Sequence, residues 1–530
     1  MREYLKRNRA SLFGALICIF ISHAFAVVLQ FFKGDVLDNA IAGDISTTIR
    51  FGILLISFIL GECLFFYLYK RCNARFVVGC TKLLKRDVFA SILNRDYVSY
   101  KELQQGAYFA KLSNEADAIT DRRFRMLPRF FDVVFTIIFV CAGLFILDWR
   151  LALITIVLLT TPLYIPKLIE KCLQKAQTEY LEAVEQTLSK VNDWLSGFEI
   201  IKNYSIERHI LKRFDEANDI AMEKMLRDAH LGAVAQLITT LISYLSYFIV
   251  LACATWLVLR SGFTAGDFFV AIGMIDLLSY PLISLAEIIR QLVSIKPACM
   301  EMDRFINKGS YIRSERSLER VQRDICYRSV SFAYPNAQPV LQDLSFTAEV
   351  GKRYLIKGPS GCGKTTAVNL LLRYYDATEG SIEIDGTPIS SYGSTYDCMT
   401  VVRQEAILFH DTLRNNLTMY REIPDEKLIE LLSNLGLDKF TNTEALDTVI
   451  LENGVNLSGG EKKRICLARA LLRETDVLIL DEPLTNLDEK NADKIEDLLL
   501  SIPGKLMLVV SHQFTEEKLP LFDGVLTMDP

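Results

Sequence analysis

Two short stretches of this chain carry residues able to handle a nucleoside triphosphate. Gly358, Pro359, Ser360, Gly361, Cys362, Gly363, Lys364, Thr365 and Thr366 follow the spacing G-x-x-x-x-G-K-T. Glycines at those places let backbone N–H groups close around phosphate oxygens, and Lys364 can reach the β- and γ-phosphates. The Thr365 hydroxyl is a hard oxygen ligand suited to Mg2+. Farther on, Val477, Leu478, Ile479 and Leu480 precede Asp481 and Glu482. A buried strand there delivers Asp481 to the magnesium and Glu482 to the attacking water, whose proton a carboxylate can accept. His512, after another apolar run, is a candidate contact to the γ-phosphate. A lone histidine is more often structural, but the place of this one after the carboxylates favours the functional role.

The elements around these residues suit them. Residues 350–359 read as strand and turn, and residues from Thr365 onward as helix, so the phosphates would lie at a helix N-terminus where the dipole favours negative charge. From about residue 325, short β-like runs alternate with Gly and Asp turns, the pattern of an α/β domain. The part before it is different. Six apolar segments, at 11–32, 51–69, 130–147, 151–166, 231–259 and 268–289, are each near the ~20 residues a helix needs to cross a bilayer. Asp148, Trp149 and Arg150 are all that divide the third from the fourth.

The basic N-terminus and the two long, Lys/Arg-rich connections, 70–129 and 167–230, are predicted to face the cytoplasm. The C-terminal half, which needs ATP, then falls on the same side. Apolar residues at 3–4 spacing within 174–195 and 207–225 predict that membrane helices continue into the cytoplasm. Glu62, Asp132, Asp276 and Glu287 lie within spans, where such residues face a bundle interior or a water-filled cavity. Glu62 and Asp276 are the deeper two and the candidates for a substrate path. Glu287 is placed to pair with Arg290, and Pro281 predicts a kink.

Composition bounds the rest. A chain of 530 residues needs more than one core, and we place the division at 1–310 and 311–530. Mean hydropathy is +0.23 and 51% of residues are apolar, which suits a chain partly in a membrane. A formal charge of −5 gives no overall attraction to nucleic acid. The twelve cysteines form no C-x-x-C pair, so reduced thiols are expected rather than disulfides or a metal site.

Leu457, Ser458, Gly459, Gly460 and Glu461, followed by Lys462, Lys463 and Arg464, resemble the signature of ABC ATPases. Tyr334 matches the family's adenine-stacking aromatic, Gln404 its magnesium-reaching glutamine and Asp488 its D-loop aspartate. Residues 448–454, with Glu452, resemble a loop found in exporters. In the membrane half, Gly106 and residues 114–119 resemble the surroundings of a first coupling helix, and residues 197–207 those of a second. Residues 262–267 resemble the turn into the last span. Over nearly its whole length the chain is similar to a half-size ABC exporter, with an all-α six-helix transmembrane domain followed by an α/β ABC ATPase domain.

That resemblance implies a dimer with a second half-transporter, identical or different. Each ATP lies between Lys364 of one copy and Ser458 of the other. Mg2+ is held by Thr365, Gln404 and Asp481, and Glu482 and His512 serve hydrolysis. The implied activity is export or outward flipping of an amphipathic peptide, drug or lipid across the cytoplasmic membrane by alternating access. Membrane lipid is a partner and nucleic acid is not. Alternatives are an uptake transporter on the same fold and a non-transporting channel- or sensor-type subunit; Glu482 and His512 argue against the latter. Two departures are Glu461 in place of Gln and Asn486 in place of Ala. A carboxylate at 461 is expected to weaken the site it adjoins. Met1 stands almost on the first span and the chain ends at Pro530, so neither a peptidase domain nor a regulatory tail is expected.

Overall fold

The structure, a computed structural model, describes the chain apart from residues 161–164, 261, 309–316, 336, 360, 486–488, 512, 513, 515, 529 and 530. It forms two compact units. One is Met1–Leu93 with Gln105–Lys308, and the other is Asn94–Gln104 with Gly309–Pro530.

The first unit is helical among its described residues. Helices Arg9–Ile41, Ile45–Leu93, Met126–Leu147, Trp149–Thr160, Glu207–Arg260 and Ala265–Ser294 carry the six apolar segments. The end of the fourth segment, 161–164, lies outside the described residues. Apolar and charged stretches share single helices, because nothing in the sequence breaks the backbone hydrogen bonding between them. Glu207–Arg260 runs for 54 residues, about 80 Å at ~1.5 Å per residue, far more than a bilayer needs. The helical readings at 174–195 and 207–225 thus fall within Ile165–Ser196 and Glu207–Arg260. Val140, Leu144, Leu151, Val250 and Met274 pack one buried cluster of this unit. Gly143 permits the close approach, since a Cβ there would stand 2.8 Å from Met274 Cε. Large apolar side chains such as Phe13, Ile53 and Leu60 are exposed along the spans, as a lipid-facing surface requires.

The charges within the spans divide. Glu287 accepts two bonds from Arg290, at 2.9 and 2.7 Å, as the spacing predicts. Asp132 pairs with His23 at 2.7 Å across two helices, and the Thr136 hydroxyl lies 3.1 Å from the same imidazole nitrogen. Glu62 is half-buried, whereas Asp276 is exposed on this chain. Pro281 lies inside the continuous helix Ala265–Ser294.

Among its described residues the second unit is built on eleven strands: β1 (Asp324–Ala333), β2 (Pro339–Glu349), β3 (Arg353–Lys357), β4 (Glu379–Ile384), β5 (Thr387–Pro388), β6 (Met399–Val402), β7 (Asp411–Thr412), β8 (Val449–Ile450), β9 (Val477–Asp481), β10 (Leu506–Val510) and β11 (Gly524–Thr527). A five-stranded sheet in the order β11-β3-β10-β9-β6 is parallel throughout, and an antiparallel sheet runs β2-β1-β4-β5. Every residue of β9 and β10 is buried, as in parallel strands covered on both faces. Because side chains alternate along a strand, Val477 and Ile479 enter one core while Leu478 and Leu480 enter the other. That double burial fixes the strand whose C-terminal end carries Asp481.

Candidate functional site

β3 ends at Lys357, and the helix Lys364–Leu371 begins after a glycine-rich turn. Gly363 caps that helix in the left-handed conformation (φ 95°), where a Cβ would also meet Leu341 Cδ2 at 2.5 Å. At Gly358 a Cβ would lie 2.4 Å from the Met528 carbonyl, so backbone packing there excludes any larger residue. The nearly buried Lys364 folds back over this turn and donates to the Gly358 and Pro359 carbonyls, both at 2.8 Å. Its ammonium is therefore already held at the loop that would receive phosphate, and phosphate oxygens are stronger acceptors than carbonyls.

The Thr365 hydroxyl lies 3.4 Å from Asp481 Oδ2, although the two residues are 116 positions apart. Burial pushes the Asp481 carboxyl up from its ordinary range, while Arg403, Lys463, Thr365 and Lys364 oppose that rise. One hydroxyl and one carboxylate converging beside a phosphate loop form a hard-oxygen donor set. It fits Mg2+, which takes few protein ligands and completes its shell with phosphate and water. Next to Asp481, Glu482 adopts φ 51°, a left-handed conformation uncommon for a non-glycine residue. Its N–H donates to the Val510 carbonyl at 2.8 Å. Strain of this kind concentrates at functional positions. The Tyr334 hydroxyl lies 3.1 Å from Thr366 Oγ1, and its ring meets Tyr375 edge-on at 5.2 Å, so an aromatic face adjoins the loop. Gln404 is exposed, and its backbone carbonyl accepts from Lys463. Ser360, Asp488 and His512 lie outside the described residues.

Ser458 and Gly459 are exposed at the start of helix Gly459–Leu471, whose positive dipole end suits an anion. Ser458 and Glu461 form a reciprocal capping box: Ser458 Oγ accepts the Glu461 N–H (3.3 Å), and Glu461 Oε2 accepts the Ser458 N–H (2.8 Å). The other oxygen of Glu461 meets the Lys439 ammonium at 2.6 Å. Burial alone would raise this carboxyl, but Lys439 and the Ser458 bonds hold it below the ordinary range. The expected repulsion from Glu461 therefore meets a carboxylate that already has a counter-charge.

Three further residues, to which the sequence assigns no role of their own, stand beside these. Lys463 is buried and donates to the Arg403 and Gln404 carbonyls at 2.7 and 3.0 Å, tying the signature helix to the segment after β6. Burial pushes its ammonium down, and Asp481 and Glu482 work against that. The Arg403 guanidinium donates to Asn369 Oδ1 at 2.8 Å, stands 3.9 Å from Asp481 Oδ2 and lies over the Tyr374 ring at 5.3 Å. Tyr97 stacks on that same ring with centroids 4.0 Å apart and planes 8° from parallel. It begins the short helix Tyr97–Lys101, which Asp96 caps by accepting the Ser99 N–H. This helix precedes Gly106 and residues 114–119, which resemble the surroundings of a first coupling helix. The Asp-x-x-Ser cap at 96–99 was the available signal. The second segment, at 197–207, contains the short helix Phe198–Asn203.

The family model described as "ABC transporter transmembrane region" matches residues 12–282, and the one described as "ABC transporter" matches residues 341–485. An ATP-dependent lipid A-core flippase of Photobacterium profundum is 28% identical over 442 residues, covering 82% of this chain and 75% of its own length. The protein of the same description from Syntrophus aciditrophicus is 27% identical, covering 96% of this chain and 87% of its own length. The putative multidrug export ATP-binding/permease protein YgaD of Bacillus subtilis is 27% identical, with coverage of 97% and 91%. A solved structure, that of a bacterial Atm1-family ABC exporter with ATP bound, superposes with a TM-score of 0.79 at 22% identity. That match covers 99% of this chain and 94% of the other, a likeness of fold.

Proposed function

Because the chain belongs to the ABC transporter family, with a transporter transmembrane region fused to an ABC ATPase, we propose that it exports or flips an amphipathic substrate outward across the cytoplasmic membrane. Hydrolysis of ATP in a pair of half-transporters drives the movement. The observation that carries this reading is the meeting of Thr365 and Asp481 beside the phosphate loop, with Glu482 held next to them, on a chain that also carries membrane-length helices.

Lys364 would turn from its loop carbonyls to the β- and γ-phosphates, and Tyr334 would stack on adenine. Thr365 and Asp481, with Gln404, would hold magnesium, which screens the phosphate charge. Glu482 would accept a proton from the attacking water. The exposed Ser458 end of the signature helix is suited to the nucleotide of a second copy. The tip around Phe198–Asn203 is suited to a partner as well: Leu195, Phe198 and Tyr204 expose 67%, 56% and 75% of their surface there, a cost that burial against a partner relieves. Binding of ATP favours the closed pair only through contacts absent from the open one, and those cross-copy contacts supply the difference.

Relatives described as lipid A-core flippases support trying a lipid-like amphiphile first among substrates. The test is Glu482→Gln in lipid nanodiscs. Its expected outcome is retention of ATP after wash-out with turnover reduced at least ~100-fold, the scale of a lost general base. Turnover near that of the unaltered chain would remove Glu482 from the mechanism.

A further inference from the structure

Arg403 stands where two parts of the second unit meet. Its guanidinium is held by Asn369 Oδ1 at 2.8 Å and lies over the ring of Tyr374. At 3.9 Å from Asp481 Oδ2 it is too far for a hydrogen bond yet near enough to act as a counter-charge. That same carboxylate oxygen faces the Thr365 hydroxyl, on the side where the two candidate metal ligands converge. Tyr374 in turn is covered by Tyr97, almost parallel at 4.0 Å, and the edge of Tyr375 approaches Tyr97 at 5.9 Å. Tyr97 belongs to Asn94–Gln104, the one piece of the N-terminal sequence grouped with the ATPase residues.

From this stack we infer that Arg403 is a positioning residue for the metal carboxylate and that Tyr97 sets how far its guanidinium can advance. While Tyr97 covers Tyr374, the ring and Asn369 keep the guanidinium off Asp481, and Oδ2 stays open to Mg2+. When segment Asn94–Gln104 withdraws, Tyr374 loses its stacking partner and no longer detains the cation. The guanidinium then closes on Asp481 as a charge-assisted pair and competes with the metal for one oxygen. The position of a loop from the membrane half thereby governs the ATPase through metal occupancy. This inference rests on the reading of Asp481 as the magnesium carboxylate.

The test uses the full chain in lipid nanodiscs, with no turnover involved. Trinitrophenyl-ADP is bound at fixed concentration and titrated with Mg2+, and the midpoint is read from its fluorescence. Tyr97→Ala is expected to raise the Mg2+ midpoint roughly tenfold, the scale of one charge-assisted hydrogen bond. Tyr97→Phe, which keeps the ring, leaves it within twofold of the original. Adding Arg403→Gln to Tyr97→Ala returns the midpoint to the unaltered value, because the competing cation is gone. Rescue by a second lesion separates competition from damage to the fold. An unchanged midpoint in Tyr97→Ala overturns the inference, as does a raised midpoint that Arg403→Gln fails to reverse. Asp481→Asn tests the premise by itself: should it leave the midpoint where it was, the magnesium assignment falls first and the relay with it.

Discussion

At the residue scale, the site depends on how charges are paired as much as on which residues are present. Glu461 would be a liability beside a phosphate if it stood alone, yet its two oxygens are taken by Lys439 and by the Ser458 N–H. Substituting Glu461→Gln is therefore expected to shift the KM for ATP by less than about twofold, since both charges of a partly exposed pair contribute little net energy. Lys439→Ala is the informative change. It leaves a carboxylate without its counter-charge at a helix end suited to an anion, and should raise that KM about fivefold, near 1 kcal/mol. Steady-state ATPase assays on both variants read the difference, and equal effects would contradict the pairing argument. The sequence showed Glu461 as a departure but could not show its partner, because Lys439 is 22 positions away with no periodic relation to it. The same limit hid the contacts of Lys463 and Arg403. Both sit among motif residues, and their importance lies in carbonyls and a ring brought near by folding. Motif residues such as Lys364 and Asp481 were legible because local chemistry demands their spacing.

At the element scale, legibility followed the physical signal. Apolar runs near bilayer length marked the helices of the first unit, and the strands β9 and β10 announced themselves as continuous apolar runs before polar ends. The short helix Tyr97–Lys101 carried almost no pattern of its own, since five residues cannot display a helical period, and only its Asp96 cap was readable. The second short helix, Phe198–Asn203, lies on an apolar tip with a hollow of about 450 Å³ lined by Trp194, Leu195, Phe198 and Phe214. Phe198→Asp tests whether that tip docks. Its side chain is 56% exposed on a single chain, so the substitution should cost less than about 0.5 kcal/mol of intrinsic stability. ATPase activity in nanodiscs should nevertheless fall at least ~10-fold if the tip is buried against a second copy, where a carboxylate would be left without a partner. Normal activity with normal melting would place the tip outside any working interface.

At the scale of the whole molecule, the two halves of the catalytic apparatus need not meet within one chain. The phosphate loop carries Lys364, while the Ser458 end of the signature helix is exposed and open to another copy. In the proposed pair of chains there would be two sites, each made of Lys364 from one copy and Ser458 from the other. This arrangement makes a prediction that contact within one chain cannot imitate. Chains bearing Lys364→Ala and chains bearing Ser458→Ala should each be nearly inactive as homogeneous pairs, since both sites are damaged in both cases. Mixed pairs place the two lesions in the same site and leave the other intact. A chain bearing both lesions, paired with an unaltered one, has one lesion in each site. Co-expression with two affinity tags isolates each mixture, and ATPase assays in lipid compare them. The first mixture should keep activity at least ~10-fold above the second, given that losing one charge-assisted phosphate contact costs about 1.5–3 kcal/mol. The reverse order, with the second mixture the more active, would mean that each chain completes its own site, and the exposed end of the signature helix would then need another explanation.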